Sequence, residues 1–171
     1  MKKLILFIGI FLSAVNLSFS QPKSVPSPVG NIIDLYFKSY SAEPEYRTTE
    51  LTEDMMNNIR EKAGVWGNPK FDKFMRQIKL YKTLRFKSNK EHSQQVFNSV
   101  EAEIKKGQLY KPYFKWDKDG GRSYFYTQSK DGKIVEFSFI TITPDRSTFS
   151  VSSFNGNNID IETIRSFTHD K

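Results

Sequence analysis

The chain has 171 residues, a formal net charge of +7 and no cysteine. The absence of cysteine excludes disulfides, thiolate zinc sites, cysteine nucleophiles and a lipid-modified cysteine. Fifteen Phe, eight Tyr and two Trp make the chain rich in aromatic residues, a composition that suits a β-sheet core. The positive charge favours anionic surfaces in general and identifies no single partner.

The first twenty residues have the pattern of a cleavable export signal. Lys2 and Lys3 precede the apolar run Leu4–Leu12, and small residues precede Gln21 at the expected cleavage position. A membrane-spanning helix would need about 20 apolar residues, whereas polar residues interrupt this run from Ser13 onward. We therefore expect residues 1–20 to be removed and the rest of the chain to be periplasmic or secreted. No transmembrane anchor would remain, and no cysteine is present to carry a lipid.

Residues 21–30 are rich in Pro and Ser and predict a flexible linker, so that residues 31–171 would form a single α+β domain. Asn31 is a suitable N-cap for a first helix, which Pro44 would prevent from continuing. The apolar residues of that helix recur at the spacing of one helical face: Ile33, Tyr36, Phe37 and Tyr40.

A short strand and two helices are predicted next. Tyr46–Leu51 has the composition of a strand, and Thr52 is placed to cap a helix that would end before Gly64. Asn68 followed by Pro69 predicts the start of a second helix. The apolar positions that follow have helical spacing: Phe71, Phe74, Met75 and Ile78.

Leu80–Ser88 alternates in the manner of a strand with one solvated face, since Arg85 and Lys87 alternate with apolar residues. Ser88 and Glu91 then match a capping box. They would open the clearest helix of the chain, which ends at Gly107. Its apolar face consists of Val96, Phe97, Val100 and Ile104.

Four aromatic and β-branched runs separated by turn sequences predict an antiparallel meander. The runs are Leu109–Asp117, Arg122–Ser129, Lys133–Thr143 and Ser147–Phe154. Alternation in the third run points Phe137 and Phe139 into the core, and therefore predicts a solvated or cross-strand-paired Glu136. Asp160 is expected to cap a terminal helix. The whole pattern predicts an α+β fold, a mostly antiparallel sheet that ends in a four-strand meander, with helices packed on one face.

Recognisable catalytic groupings are missing from the sequence. His92 and His169 have no second metal-type ligand three or four residues away, and no nucleophile elbow or phosphate-binding loop occurs. We therefore assign no catalytic, cofactor-binding or metal-binding residue and expect no cofactor. Whether the protein is an enzyme stays open, although a non-enzymatic role is favoured. The enzymatic alternative is a glycan-acting site in a deep pocket lined by acids such as Glu136 and Asp117.

One stretch resembles a ligand-binding surface, because cations and aromatic rings alternate in Tyr110–Trp116. The plainer interpretation is a strand that buries Phe114 and Trp116 and exposes the residues between them. Together with the preceding solvated strand, this stretch supplies the candidate binding residues Arg85, Lys87, Lys111, Tyr113 and Lys115.

Three stretches of the sequence are typical of one family: the amphipathic helix after the strand Leu84–Phe86, the segment Asp131–Phe137, and the ending Asn155–Ile161. With them the chain resembles the exported bacterial family known as domain of unknown function 4252. The resemblance covers about Ile32 to Phe167. It implies a small cell-envelope protein of unassigned activity and supplies no functional residues. Many members have a lipobox cysteine, which this chain lacks.

We therefore expect an exported cell-envelope or secreted protein that acts as a non-enzymatic binding or accessory module. The partner would be an envelope protein, a glycan or an anionic lipid surface, and nucleic acid is not expected. The alternatives are the glycan-acting enzyme and a protein that binds anionic lipid or lipopolysaccharide through Arg85, Lys87, Lys111 and Lys115.

Overall fold

The computed structural model describes residues 34, 36, 37, 40, 45–63, 69–160, 162, 163 and 165, with only the backbone described at 62 and 63. The predicted export signal and linker lie outside the described residues. The same holds for Asn31, Gly64 and His169.

Six strands form one antiparallel sheet in the order β1-β2-β6-β5-β4-β3. In chain order the elements are β1 Tyr46–Thr52, α1 Glu53–Ala63, α2 Pro69–Met75, β2 Ile78–Lys87, α3 Lys90–Gly107, β3 Lys111–Lys118, β4 Gly121–Lys130, β5 Lys133–Ile142 and β6 Thr148–Gly156. The described residues 34, 36, 37, 40, 162, 163 and 165 are also helical. The predicted α+β class, the antiparallel sheet and the four-strand meander are confirmed.

Short polar side chains set the helix starts. The Thr52 hydroxyl accepts a hydrogen bond from the Met55 N–H at 3.4 Å, as expected of the predicted cap. The cap of α3 is Asn89, one residue after the predicted Ser88, and its side chain accepts from the His92 N–H at 2.8 Å. Ser88 instead donates its backbone N–H to Ser147 in the β5–β6 turn, at 2.9 Å. Ser88 therefore lies just after the end of β2 and does not cap α3.

Two Asp-Gly turns close the meander hairpins as predicted. Asp119 and Gly120 have φ of 54° and 83°, and Asp131 and Gly132 have φ of 51° and 74°. Two successive positive φ values suit the twist of a tight hairpin, and Gly is the residue that adopts them most easily.

The helices cover both faces of the sheet, which corrects the expectation that they pack on one face. On the first face, the α3 face, Phe97, Val100 and Ile104 pack against the sheet. On the opposite face, the α1–α2 face, Met56 and Phe74 belong to a second cluster. The sheet residues of the first cluster include Leu84, Phe86, Ile140, Ile142, Phe149 and Val151, and those of the second include Tyr81, Phe125, Phe137, Phe139 and Phe154.

The reason is visible in β5. Phe137 and Phe139 face α1 and α2, whereas Ile140 and Ile142 join the α3 cluster. Each face of this strand is therefore apolar over part of its length. A two-residue alternation identifies one apolar face and does not reveal that the opposite face is covered as well.

Within the described residues, no helix combines the length and the apolarity needed to cross a bilayer.

Candidate functional site

The antiparallel register places six polar or aromatic side chains in a single row across all six strands. Each member lies directly opposite the next on the neighbouring strand, and all six are on the α1–α2 face. We call it the Arg47–Trp116 row, and its members are Arg47, Arg85, Ser150, Thr141, Ser123 and Trp116. Neighbouring strands lie about 4.8 Å apart, so the five intervals span roughly 24 Å.

The row lies beyond the area that the helices cover. On β6, Phe154 packs under Phe74 of α2 at a ring-centroid distance of 5.2 Å, and Ser150 is four residues, or roughly 13 Å, further along the strand. Arg47 and Arg85 are exposed and Trp116 is half-buried. The middle of the row is more buried than its ends, because Ser150 and Ser123 are only 7% and 6% exposed.

Two arginines stand opposite one another at the β1–β2 end of the row. Like charges directly opposite on neighbouring strands destabilise a sheet. Among the described residues, neither Arg47 nor Arg85 has an acid within ion-pair distance. The flanking rows on the same face contain no acid either: Lys87, Thr148, Gly121 and Lys118 on one side, and Thr49, Thr83, Ser152, Phe139, Phe125 and Phe114 on the other. This corner of the sheet therefore has an excess of cations. Two exposed acids lie at its margin: Glu45, just before β1, and Asp145, in the β5–β6 turn, whose carboxylate interacts electrostatically with Lys87.

The other end of the row presents an indole. In the part of the chain that the structure describes, no aromatic ring stacks on Trp116. Between the indole and the arginines lie hydroxyl groups, of which Ser123 Oγ and Thr141 Oγ1 are 3.1 Å apart. The arginine pair, the hydroxyl side chains and the indole ring can together bind a polar, negatively charged molecule.

The structure brings together only part of the predicted binding residues. Arg85 and Lys87 are both exposed on the α1–α2 face of β2. Lys111 is on the same face but at the far end of edge strand β3. Lys115 is on the α3 face, where its Nζ lies 4.3 Å from the centroid of the Tyr124 ring and 3.3 Å from Glu101.

Tyr113 is not exposed, which corrects the plainer interpretation of its strand. A bulge between Pro112 and Phe114 leaves Tyr113 without a register partner on β4. Its ring packs edge-on against Phe137 at 6.2 Å. Phe114 and Trp116 are half-buried.

Sequence reasoning missed Arg47, although it named Arg85. The two are separated by 37 intervening residues and meet only because β1 pairs with β2. Arg47 sits between Tyr46 and Thr48 in a predicted strand, where alternation alone makes it an ordinary solvated position. A predicted β1–β2 register would have been the signal needed to find the pair.

Glu136 is buried, at 1% exposure, which corrects the expectation of a solvated or cross-strand-paired acid. Alternation placed it correctly on the face opposite Phe137, but α3 and Tyr110 belong to the layer on that face. Three hydroxyl groups donate to its carboxylate. Tyr110 does so to both oxygens at 3.2 Å, Ser153 at 2.7 Å, and Ser138 at short range.

Glu136 and Asp117 do not converge, so the pocket expected for a glycan-acting enzyme is not formed by these two acids. Glu136 lies opposite Gln128 on β4, and Asp117 lies opposite Arg122. Six residues of strand separate these positions, or roughly 20 Å. Carboxyl pairs that hydrolyse glycosides are about 5 to 9.5 Å apart.

A second buried charge lies on the same face as Glu136. The Lys82 side chain is 6% exposed, and its ammonium lies 2.7 Å from Asp34 and 3.6 Å from Glu50. It also lies 5.4 Å from the centroid of the Phe37 ring. Asp34 and Phe37 belong to the helical residues before β1, so Lys82 ties that segment to the sheet.

Within the described ranges, no three metal-type side chains come together. His92, in the first turn of α3, packs edge-on against Phe86 at 5.5 Å. The histidine therefore supports the hydrophobic cluster on the α3 face.

A family model described as Domain of unknown function (DUF4252) matches residues 40–167. No curated protein and no solved structure matches the chain. The matched span includes all six strands and every member of the Arg47–Trp116 row.

Proposed function

This chain belongs to the DUF4252 family, a domain of unknown function, and from that premise we propose that it is an exported, non-enzymatic module of the cell envelope or of secreted material. It binds an anionic envelope component through the Arg47–Trp116 row. The observation that carries the proposal is the pair of exposed arginines, Arg47 and Arg85, which lie directly opposite one another, with no acid among the described residues within ion-pair distance of either. A bound anion would offset their repulsion.

Export is supported by the N-terminal sequence, in which Lys2 and Lys3 precede the apolar run Leu4–Leu12. After cleavage the chain would be free in the periplasm or outside the cell. A role on the envelope then requires a surface that holds the protein there, and the row supplies one.

A non-enzymatic role is supported by the state of the most unusual acid. The oxygens of Glu136 already accept hydrogen bonds from Tyr110, Ser138 and Ser153 inside the protein. Hydroxyl groups that converge on a buried carboxylate satisfy it and fix the packing around it. Glu136 thus has a structural task on the α3 face, away from the row.

The test is co-sedimentation of the purified chain, in the form that the expressing cell produces, with envelope fragments of the same cells. We expect the double variant Arg47→Gln/Arg85→Gln to lose at least about tenfold in affinity, as removal of two desolvated charge contacts would do. The matched control Lys130→Gln/Lys133→Gln removes the same charge from two exposed lysines that also lie opposite one another, outside the row, and should lose less than about twofold.

Equal retention of the wild type and both double variants would overturn the binding role of the row. Turnover of a glycan substrate that Glu136→Gln abolishes, in a variant that still folds, would overturn the non-enzymatic assignment. That result would favour the glycan-acting alternative instead.

A further inference from the structure

We propose that the ligand of the Arg47–Trp116 row is an extended acidic oligosaccharide, a proposal that rests on the binding role given above. Its acid groups would lie at the Arg47 and Arg85 end. A sugar ring would stack on Trp116, and the protein hydroxyl groups between Arg85 and Trp116 would face the middle of the oligosaccharide.

The shape of the row favours an extended ligand. Its two chemically distinct ends, the arginine pair and the indole, are separated by the hydroxyl side chains of three strands. From Arg85 to Trp116 this is four strand intervals, or roughly 19 Å. A single small anion would occupy only the arginine end and would leave the indole unused.

The chemistry of the row favours a sugar chain. Arginine binds carboxylate, sulfate and phosphate oxygens through paired N–H groups. Thr141 is half-buried, and its hydroxyl, which also pairs with Ser123, is of the kind that exchanges hydrogen bonds with sugar hydroxyls, whereas Ser123 and Ser150 are mostly buried. An indole without an aromatic neighbour in the described chain offers a flat apolar surface for a ring.

A membrane surface fits the row less well. Proteins that bind lipid surfaces commonly insert apolar side chains beside their cations. Among the described residues Leu109 is the large hydrophobic side chain that is exposed, at 47%. It precedes β3 at the end opposite Trp116, and Lys87 and Lys118 flank the row instead.

The experiment compares three probes by titration calorimetry with the chain as the cell processes it. The probes are a galacturonic acid hexasaccharide, a neutral glucose hexasaccharide, and phosphatidylcholine vesicles that contain phosphatidylglycerol. We expect the acidic hexasaccharide to bind at least about tenfold more tightly than the neutral one, and more weakly at high salt.

Variants assign the binding to the row. Arg47→Gln/Arg85→Gln should weaken acidic hexasaccharide binding at least about tenfold, and Lys130→Gln/Lys133→Gln should change it less than about twofold. Trp116→Ala should weaken it about tenfold, whereas Trp116→Phe keeps a stacking ring and should retain most of the affinity. Since both arginines are exposed and the substitutions remove their mutual repulsion, the double variant should unfold at the same or a slightly higher urea concentration than the wild type.

Three other outcomes would each contradict the proposal that the ligand is an acidic oligosaccharide. If the arginine variant loses envelope association but the acidic and neutral hexasaccharides bind equally, the glycan assignment fails and the binding role stands. If the anionic vesicles bind more tightly than the acidic hexasaccharide, with the same dependence on Arg47 and Arg85, the occupant is a lipid headgroup. If the arginine variant changes neither envelope nor saccharide binding, both proposals fail.

Discussion

Lys82 is a charged residue whose role is decided by its burial. Its side chain is 6% exposed and its ammonium lies between Asp34 and Glu50. A buried pair contributes little net stability when it is intact, but removing one partner leaves the other charge buried and uncompensated. The exposed pair of Lys79 and Glu53 is half solvated on both sides, so water compensates either charge.

The substitution Lys82→Ala should therefore lower the free energy of unfolding by roughly 3–5 kcal/mol. Lys79→Ala, which removes the same side chain from an exposed pair three residues earlier, should cost less than about 1 kcal/mol. Urea unfolding followed by circular dichroism measures both. Similar costs for the two variants would show that the Asp34–Lys82 contact does not hold the helical segment to the sheet.

Gly156 illustrates a second residue whose identity is fixed by a neighbour. A Cβ atom at this position would lie 2.3 Å from the Gln77 carbonyl oxygen, whereas a Cβ at Gly107 would have no atom within 4 Å. We expect Gly156→Ala to destabilise the protein by about 1–3 kcal/mol, since backbone must move to admit it. Gly107→Ala, at the end of α3, should be neutral or stabilise by up to about 1 kcal/mol. Thermal unfolding would contradict this account if the two variants behaved alike.

At the scale of elements, the β5–β6 turn depends on an ionised carboxylate. Hydrogen bonds from Ser147, by its hydroxyl and its backbone N–H, and from the Thr143 hydroxyl lower the pKa of Asp145 to about 2. A carboxyl with a depressed folded-state pKa stabilises the fold above its unfolded value of about 3.9. That contribution is lost as the pH falls through the folded-state value.

The amide resonances of the turn should therefore report a titration with a midpoint near 2. In Asp145→Asn this transition should vanish, because the amide does not ionise, and the Ser147 amide should exchange faster at neutral pH. Heteronuclear NMR from pH 5 downward makes the measurement. A midpoint near 4 in the wild type would mean that the three hydrogen bonds do not favour the charged form.

Most elements were predictable because their signals are local. The turn residues Asp119-Gly120 and Asp131-Gly132, the cap Thr52 and the periodic face of α3 each act within a few residues of sequence. Asp160 also caps the terminal helical residues as predicted, since its carboxylate accepts from the Glu162 N–H at 3.0 Å. The local rules fail where a distant element competes, as at Ser88, whose N–H bonds to Ser147.

Ile78 is another such case. Its spacing from Phe74 and Met75 predicted helix, but α2 ends at Met75 and Ile78 begins β2. Pairing with Gly156 on β6 competes with one more helical turn. The sheet contact wins, because tertiary packing overrides weak helical preference in a short helix.

At the scale of the whole molecule, the candidate site could not be predicted because it belongs to the strand order. The sequence singled out Arg85 and the stretch that contains Trp116, yet the row that joins them requires β6, β5 and β4 to lie between β2 and β3. Nothing local in the sequence states that order. The burial of Glu136 was missed for a related reason, since alternation gives the face of a side chain but not the helix that covers that face.

The central claim is that the Arg47–Trp116 row is the surface that contacts the envelope. The chain has no cysteine, so a single introduced thiol reports on one position. Thr141→Cys places it in the half-buried middle of the row, and Lys130→Cys places it in the exposed β4–β5 hairpin. The decisive measurement is the rate at which each thiol reacts with a maleimide, with and without envelope fragments. We predict that the fragments slow the reaction at position 141 at least severalfold and leave position 130 unchanged. Unchanged reactivity at 141, or protection at 130 alone, would contradict the account.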